Sequence, residues 1–407
     1  MEPMRRVTPL PVVFGLALAL AVALAPALSG CATATSQAQP ATTTTDLSLA
    51  GIVSGRFTTR VAEPAFLRFR EDDNGHVSYE VGALKVHPPE LLPVYVVGGS
   101  NVREAIQSPA ALQTAIERKT GVATRVVTFG AFFENLASML AVIDNLPPGP
   151  GVVVISVDPP DFAYGLGVVD KQANGEPLLM ASAAVDAILT AEGHTSPATI
   201  AQGYNDYMSA WRTDNKAALK AGKQPWNVYI LHECNRLAWS DARKRQQLKS
   251  WTAGAGKASG AFFKYEKFWT SVLRAAAELA KSKGYAVVIS EGSYDRAIVG
   301  GAFAPYRRVY VPACRSIAKA VGGWYVDPNT TAHLTDADFR DLYHVLTAGR
   351  PKWTPALAAL LAAAVRQAAK AKASPNPSTS PSTSPSTSPS ASLSPSLSVS
   401  PSASVSP

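Results

Sequence analysis

The short apolar run Val94–Val97 ends in Gly98-Gly99-Ser100-Asn101-Val102-Arg103. Two glycines permit a tight turn from a strand into a helix, and a hydroxyl follows at once. A serine there stands beside a helix N-terminus, whose unpaired N–H groups favour developing negative charge. The same residues also suit capping, because Ser100 or Asn101 would accept from the first turn and Asn101-x-x-Glu104 has the form of a capping box. Far along the chain, Asp341-Leu342-Tyr343-His344 sets a carboxylate three residues before an imidazole. On a helical turn or in a tight loop, that spacing lets the carboxylate fix the imidazole tautomer and stabilise the imidazolium. The plain alternative is a solvated Asp and His on a surface helix. A hydroxyl, an imidazole and a carboxylate brought together would do nucleophilic acyl chemistry.

Other residues are candidates by position. Glu291, after Ala286–Ser290, is expected at a strand end, either as a substrate contact or as a solvated loop carboxylate. Asp161 and Arg103 follow two other apolar runs and are further candidate substrate contacts. His76, His87, His194, His232 and His333 show no ligand spacing with Cys or carboxylates, so no metal is expected. No glycine-rich phosphate loop with its lysine follows a strand, which argues against a nucleotide enzyme, and no cofactor is expected.

Ligands of open α/β sheets bind beyond the carboxyl ends of the strands, so these residues require strands in front of them. Five apolar runs are too short for helices: Val94–Val97, Arg125–Thr128, Val152–Val157, Ala286–Ser290 and Trp324–Val326. Helical periodicity follows over Val102–Arg118, Ala131–Asn145, Tyr265–Lys281, Tyr306–Ala320 and Thr354–Ala373. This alternation predicts one α/β domain, residues 84–373, with a mainly parallel sheet covered by helices on both faces. Residues 165–260 break the rhythm and are expected to form a helical insertion over the active edge. Its aromatics, Tyr204, Tyr207, Trp211, Trp226, Tyr229, Trp239 and Trp251, either pack the inserted helices or line a groove.

The termini have a different character. Arg5 and Arg6 precede an apolar, Ala- and Leu-rich run from Val12 to Leu28, the layout of a signal peptide over residues 1–30. It ends in Leu28-Ser29-Gly30-Cys31, which resembles the bacterial lipobox. That resemblance implies cleavage before Cys31, acylation of its thiol and a lipid-anchored, extracytoplasmic protein; an uncleaved anchor helix is the alternative. Residues 31–83 are expected to be a membrane-proximal linker with a short β-rich entry at Phe66–Phe69. Residues 374–407 repeat Ser, Pro and Thr with almost no large apolar side chains, and are expected to be disordered.

The formal charge of +8 falls only to +7 when two arginines and Glu2 leave with the leader. Mild basicity suits anionic wall polymers or lipid head groups, and no basic-aromatic stripe argues for nucleic acid. With Cys31 acylated, Cys234 and Cys314 remain, either as a disulfide in an oxidising compartment or as two buried thiols.

The serine after the first strand and the late D-x-x-H together resemble the SGNH, or GDSL-like, hydrolase superfamily over roughly Leu92 to Ala373. Trp324-Tyr325-Val326-Asp327, Phe339–His344, Gly349 and Trp353-Thr354 look most like its envelope-acting branches, which include proteins of teichoic-acid D-alanyl transfer and polysaccharide O-acetylation. The resemblance implies a three-layer α/β/α sandwich with a flavodoxin-like sheet. It also implies Ser100 as nucleophile, His344 as base, Asp341 as its partner, and an oxyanion hole including Ser100 and Gly130. The third block of the family carries Gly-x-Asn-Asp, but the corresponding Val157-Asp158-Pro159-Pro160-Asp161 has no Asn, and Pro160 has no N–H. Asn101 or Arg103 is the expected substitute donor. Gly99 stands where the first block has Asp. The expected function is a serine esterase or O-acyltransferase acting on a cell-wall or exopolysaccharide ester; the alternative is an inactive SGNH-fold lipoprotein that binds a wall polymer.

Overall fold

Five runs of β-branched and aromatic residues become parallel strands: Leu92–Gly99 (β1), Thr124–Ala131 (β2), Gly151–Val157 (β3), Tyr285–Glu291 (β4) and Trp324–Val326 (β5). They form one sheet in the order β2-β1-β3-β4-β5. The computed structural model describes residues 88–131, 135–165, 177–180, 182–193, 237–252 and 258–374, with positions 77, 80, 81, 84, 85 and 169. The leader, Cys31, Phe66–Phe69, Cys234, most of the predicted insertion and the Ser/Pro/Thr-rich tail lie outside the described residues.

The described helices are α1 Ser100–Ala105, α2 Pro109–Thr120, α3 Leu136–Asn145, α4 Pro177–Met180, α5 Ala183–Ala191, α6 Asp241–Thr252, α7 Ala258–Ser282, α8 Arg296–Val299, α9 Ala304–Ala320 and α10 Arg350–Ala373. Strand side chains alternate between two cores, as the two-residue period requires. Tyr95, Val97, Val153, Ile155, Val287 and Ile289 enter the first, with α3, α7 and α9. Val94, Val96, Val152, Val154, Ala286 and Val288 enter the second, with α2 and α10. Burial on both faces explains why these strands read as unbroken apolar runs and not as alternating ones. α10 presents Trp353, Leu357, Leu361, Ala364 and Ala368 to the sheet at helical spacing, and all five are buried. None of the described helices is long and apolar enough to cross a membrane.

Several boundaries differ from expectation. The helix predicted over Val102–Arg118 is two, α1 and α2, because a residue before proline disfavours helical backbone and Ser108 instead caps α2 by accepting from Ala111 N–H at 3.0 Å. β2 runs on to Ala131, and the helix expected from there begins at Leu136, where Asn135 Oδ1 accepts from Ala137 and Ser138 N–H. α7 begins at Ala258, before the predicted Tyr265, and its Phe262 and Trp269 reach the first core. The packed region also starts earlier than residue 84, since Val77 and Val81 are helical and buried in that core with Leu84.

Candidate active site

The hydroxyl is placed by glycine chemistry at the end of β1. A Cβ on Gly98 would lie 2.8 Å from Ser156 Cβ and 2.9 Å from Val102 Cγ1, so only glycine lets α1 turn back this tightly. α1 begins at Ser100, with Gly99 in the N-cap position and no side-chain cap. The predicted capping box is therefore not formed. Ser100 Oγ instead meets His344 Nε2 at 2.9 Å, across 244 residues of chain.

His344 Nδ1 lies 2.8 Å from Asp341 Oδ2 and 2.9 Å from Oδ1. A carboxylate only accepts, so Nδ1 carries the proton and Nε2 accepts from the serine hydroxyl. Asp341 is 4% exposed. Burial alone would raise its pKa, but the hydrogen bond from His344, its charge and the N–H groups of Tyr343 and His344 outweigh burial and hold the carboxyl below its usual range. The arrangement suits removal of the Ser100 proton by a positioned, correctly tautomerised imidazole.

The segment carrying Asp341 and His344 is a tight loop and not a helical turn. Phe339 bridges Val345, Arg340 N–H donates to His344 O at 2.9 Å, and Leu346 N–H donates to Asp338 O at 2.7 Å. Two neighbours beyond β4 anchor it: Ser293 Oγ donates to Tyr343 O at 2.7 Å, and Asp295 N–H to Leu342 O at 2.9 Å. From the other side, Trp239 N–H donates to Arg340 O at 2.7 Å, and Leu342 N–H donates to Gln247 Oε1 at 3.2 Å. Lys244 of α6 is fully buried, with Nζ on Asp295 at 3.0 Å and on Asp336 at 2.5 Å. The last part of the predicted insertion thus fastens the histidine loop to the β4 edge.

Asn101, next to Ser100, donates from Nδ2 to Asp158 Oδ2 at 2.7 Å and accepts at Oδ1 from Val102 N–H at 2.8 Å. Gly292 leaves room for that amide, since a Cβ there would overlap Asn101 Nδ2. Asp158 is the first residue beyond β3. Its N–H donates to Asp161 Oδ2 at 2.7 Å, which closes a capping box on the turn Pro159–Phe162. Burial pushes the Asp158 carboxyl up to about 7, against smaller lowering by the Asp161 hydrogen bond and by His344. Asp161 is raised further, by burial and then by Asp158.

A pH dependence of stability follows. The folded-state pKa of Asp158 lies above its unfolded value of 3.8, so its contribution is complete below that pH and is lost as pH rises through about 7. Asp341, shifted down, acts in the opposite sense only near and below its usual range. Chemical unfolding is expected to show the wild type gaining roughly 2–3 kcal/mol more stability between pH 8 and pH 5 than an Asp158→Asn variant. Equal pH slopes for the two proteins would show that Asp158 is not held neutral by burial.

Of the remaining candidates, Arg103, Glu291 and Asp161 are turned into the protein. Gly130 pairs with Gly98 inside β2, where a Cβ would lie 2.7 Å from Arg103 Cβ; close packing of α1 explains this glycine. The next residues after Ala131, 132–134, lie outside the described residues. Arg103 is 1% exposed and pairs with Glu104 at 3.1 Å, which in turn pairs with Arg350 at 3.0 Å, so it is an internal ion and not a solvent-facing substrate contact. Glu291 is likewise sequestered, accepting from Tyr310 Oη at 2.5 Å and Tyr325 Oη at 2.6 Å and pairing with Arg307. Asp161 is turned inward onto the Asp158 backbone.

Cys314 is a free thiol buried in α9, the second of the two alternatives for this residue; Cys234 lies outside the described residues. Trp251 packs against Tyr306 and Phe303, with ring centroids 4.5 and 5.1 Å away, while Trp239 stacks under Arg243. Among the described residues no group of three or more His, Cys, Asp or Glu side chains is arranged to hold a metal. Sequence reasoning missed Asp158, Ser293 and Lys244. Asp158 was signalled by its place right after a strand, whereas Lys244 lies in the polar run Asp241–Thr252 that reads as a surface helix.

Comparison of the sequence with models of known protein families and with curated proteins gives no match.

Proposed function

We propose that the chain is a lipid-anchored, extracytoplasmic serine esterase or O-acyltransferase of the SGNH type, acting on acyl esters of envelope glycans or related polymers. The observation that carries this reading is the continuous hydrogen-bonded chain Ser100–His344–Asp341 at the carboxyl edge of a parallel sheet. The strand order 2-1-3-4-5 supports the finer reading as a flavodoxin-like, three-layer sandwich. The lipobox-like Leu28–Cys31 and the mildly basic charge support the envelope address.

In this mechanism His344 takes the proton from Ser100 Oγ as the oxygen attacks the ester carbonyl, and Asp341 stabilises the imidazolium. The imidazolium then protonates the departing alcohol, leaving an acyl-serine. Water resolves that intermediate in an esterase, and a polymer hydroxyl does so in a transferase. The oxyanion needs donors worth roughly 3–4 kcal/mol each, and the third-block Asn of the family is absent. Asn101 is the proposed replacement, since Asp158 takes one of its two amide hydrogens and the other has no partner among the described residues.

A fluorophosphonate probe tests the reading, because its phosphorus is attacked only by an activated serine and fluoride leaves. Wild type is expected to be labelled, and Ser100→Ala is expected to show no labelling. A folded wild type that resists the probe would sink the enzyme and leave the polymer-binding lipoprotein as the better reading.

A further inference from the structure

A second feature lies on the same edge of the sheet, beyond β4 and β5. It is a cavity of about 660 Å³ whose walls include Tyr294, Arg296, Arg307, Arg308, Pro312 and Asp327. Arg307 is committed to scaffolding, since it donates to Tyr294 Oη at 2.9 Å and to Asp327 at 3.2 Å and pairs with the buried Glu291. Among the described residues no acidic side chain pairs with the other two cations. Arg296 uses Nη1 on the backbone oxygen of Asn329 at 3.2 Å, and the Arg308 guanidinium has no hydrogen bond or ion pair among the described residues. Both are exposed.

The helix that lines one wall also leaves a carbonyl without its usual donor. Pro312 sits inside α9 and has no N–H, so the carbonyl of Arg308, four residues earlier, lacks its helical donor. Guanidinium groups present paired donors that match a carboxylate or phosphate, and a free carbonyl accepts from a hydroxyl. β4 and β5, whose following residues line the cavity, lie two and three strands from β1, about 10–15 Å at the usual strand spacing.

We propose that this cavity is a subsite for an anionic, hydroxyl-bearing unit of the substrate polymer, its phosphate or carboxylate held by Arg296 and Arg308. Its assignment to the substrate rests on the serine-ester reading above, whereas binding of the anion does not. The spacing to Ser100 makes the cavity a ruler, so that an ester two or three sugar units away from a bound anion would lie at the nucleophile.

Calorimetric titration of the full chain at low salt with inorganic phosphate and, separately, with glucuronate tests this. At least one probe is expected to bind, and the Arg296→Ala/Arg308→Ala double variant is expected to weaken it at least tenfold, the loss of about one charged hydrogen bond. Tighter phosphate binding would point to a phosphodiester polymer and tighter glucuronate binding to a uronic one; either supports the subsite. No binding by either probe, or equal binding by the double variant with an unchanged circular dichroism spectrum, would overturn it. Ser100→Ala should bind like wild type, so failed serine labelling with intact anion binding would remove the enzyme and leave the cavity assignment standing.

Discussion

Asp341→Asn is expected to slow hydrolysis of a short-chain aryl ester by roughly 10⁴-fold while leaving the fold intact. The local geometry dictates which way the new amide faces. Asp341 Oδ1 accepts from the N–H groups of Tyr343 and His344 at 3.0 and 3.1 Å, so the Asn oxygen takes those bonds and the NH₂ turns to His344 Nδ1. Nδ1 must then accept, and the imidazole proton moves to Nε2, where it faces Ser100 Oγ 2.9 Å away. An imidazole protonated on that side is no base for the hydroxyl. Turnover measured under substrate saturation, with near-ultraviolet circular dichroism as the folding control, checks the expectation. Activity within tenfold of wild type would mean that the carboxylate does not govern the tautomer.

Lys244→Met is expected to destabilise the protein by about 3–5 kcal/mol, the usual loss when one partner of a buried ion pair is removed. Methionine fills nearly the same space, so the effect reports charge and not a cavity. Asp295 is 1% exposed at its side chain and loses its ammonium partner, although Oδ1 still caps α8 through Ala297 and Ile298 N–H at 3.2 Å each. In wild type, burial lowers the Lys244 pKa, but the bonds to Asp336 and Asp295 outweigh it and raise the value above the ordinary lysine range. Urea unfolding at pH 7 measures the loss. Asp295→Asn in the Lys244→Met background is expected to recover part of it, because the amide keeps the cap without the buried charge. A single variant within 1 kcal/mol of wild type would show that α6 is not fastened by this pair.

The two variants probe different layers of the same loop. Asp341 acts on the proton carried by His344, whereas Lys244 acts on whether the loop is held at all. Stability and turnover are therefore expected to separate for Asp341→Asn and to fall together for Lys244→Met.

Much of this arrangement was legible in the residues. Glycines before Ser100 and the three-residue spacing of Asp341 and His344 are local signals, and both end where strand and turn chemistry put them. Less was legible for Arg103 and Glu291. Arg103 follows β1 and Glu291 ends β4, as site residues would, but each is enclosed with the help of distant segments: Arg350, acting through the neighbouring Glu104, for one, and Tyr310 and Tyr325 for the other. Nothing in a side chain's own neighbourhood in sequence says whether its charge will be met by a partner or by water.

By itself, the chain's order of residues determined the α/β alternation, the parallel strands and the polarity of their ends, because period-two and helical patterns are consequences of local backbone geometry. Tertiary structure alone decided that Ser100 and His344 touch, that Asp158 grips Asn101, and that Lys244 lies buried beneath the histidine loop. Those contacts join segments separated by 51 to 244 residues. Their distances follow from how strands are ordered in the sheet and how helices close over it, which no short stretch of sequence encodes.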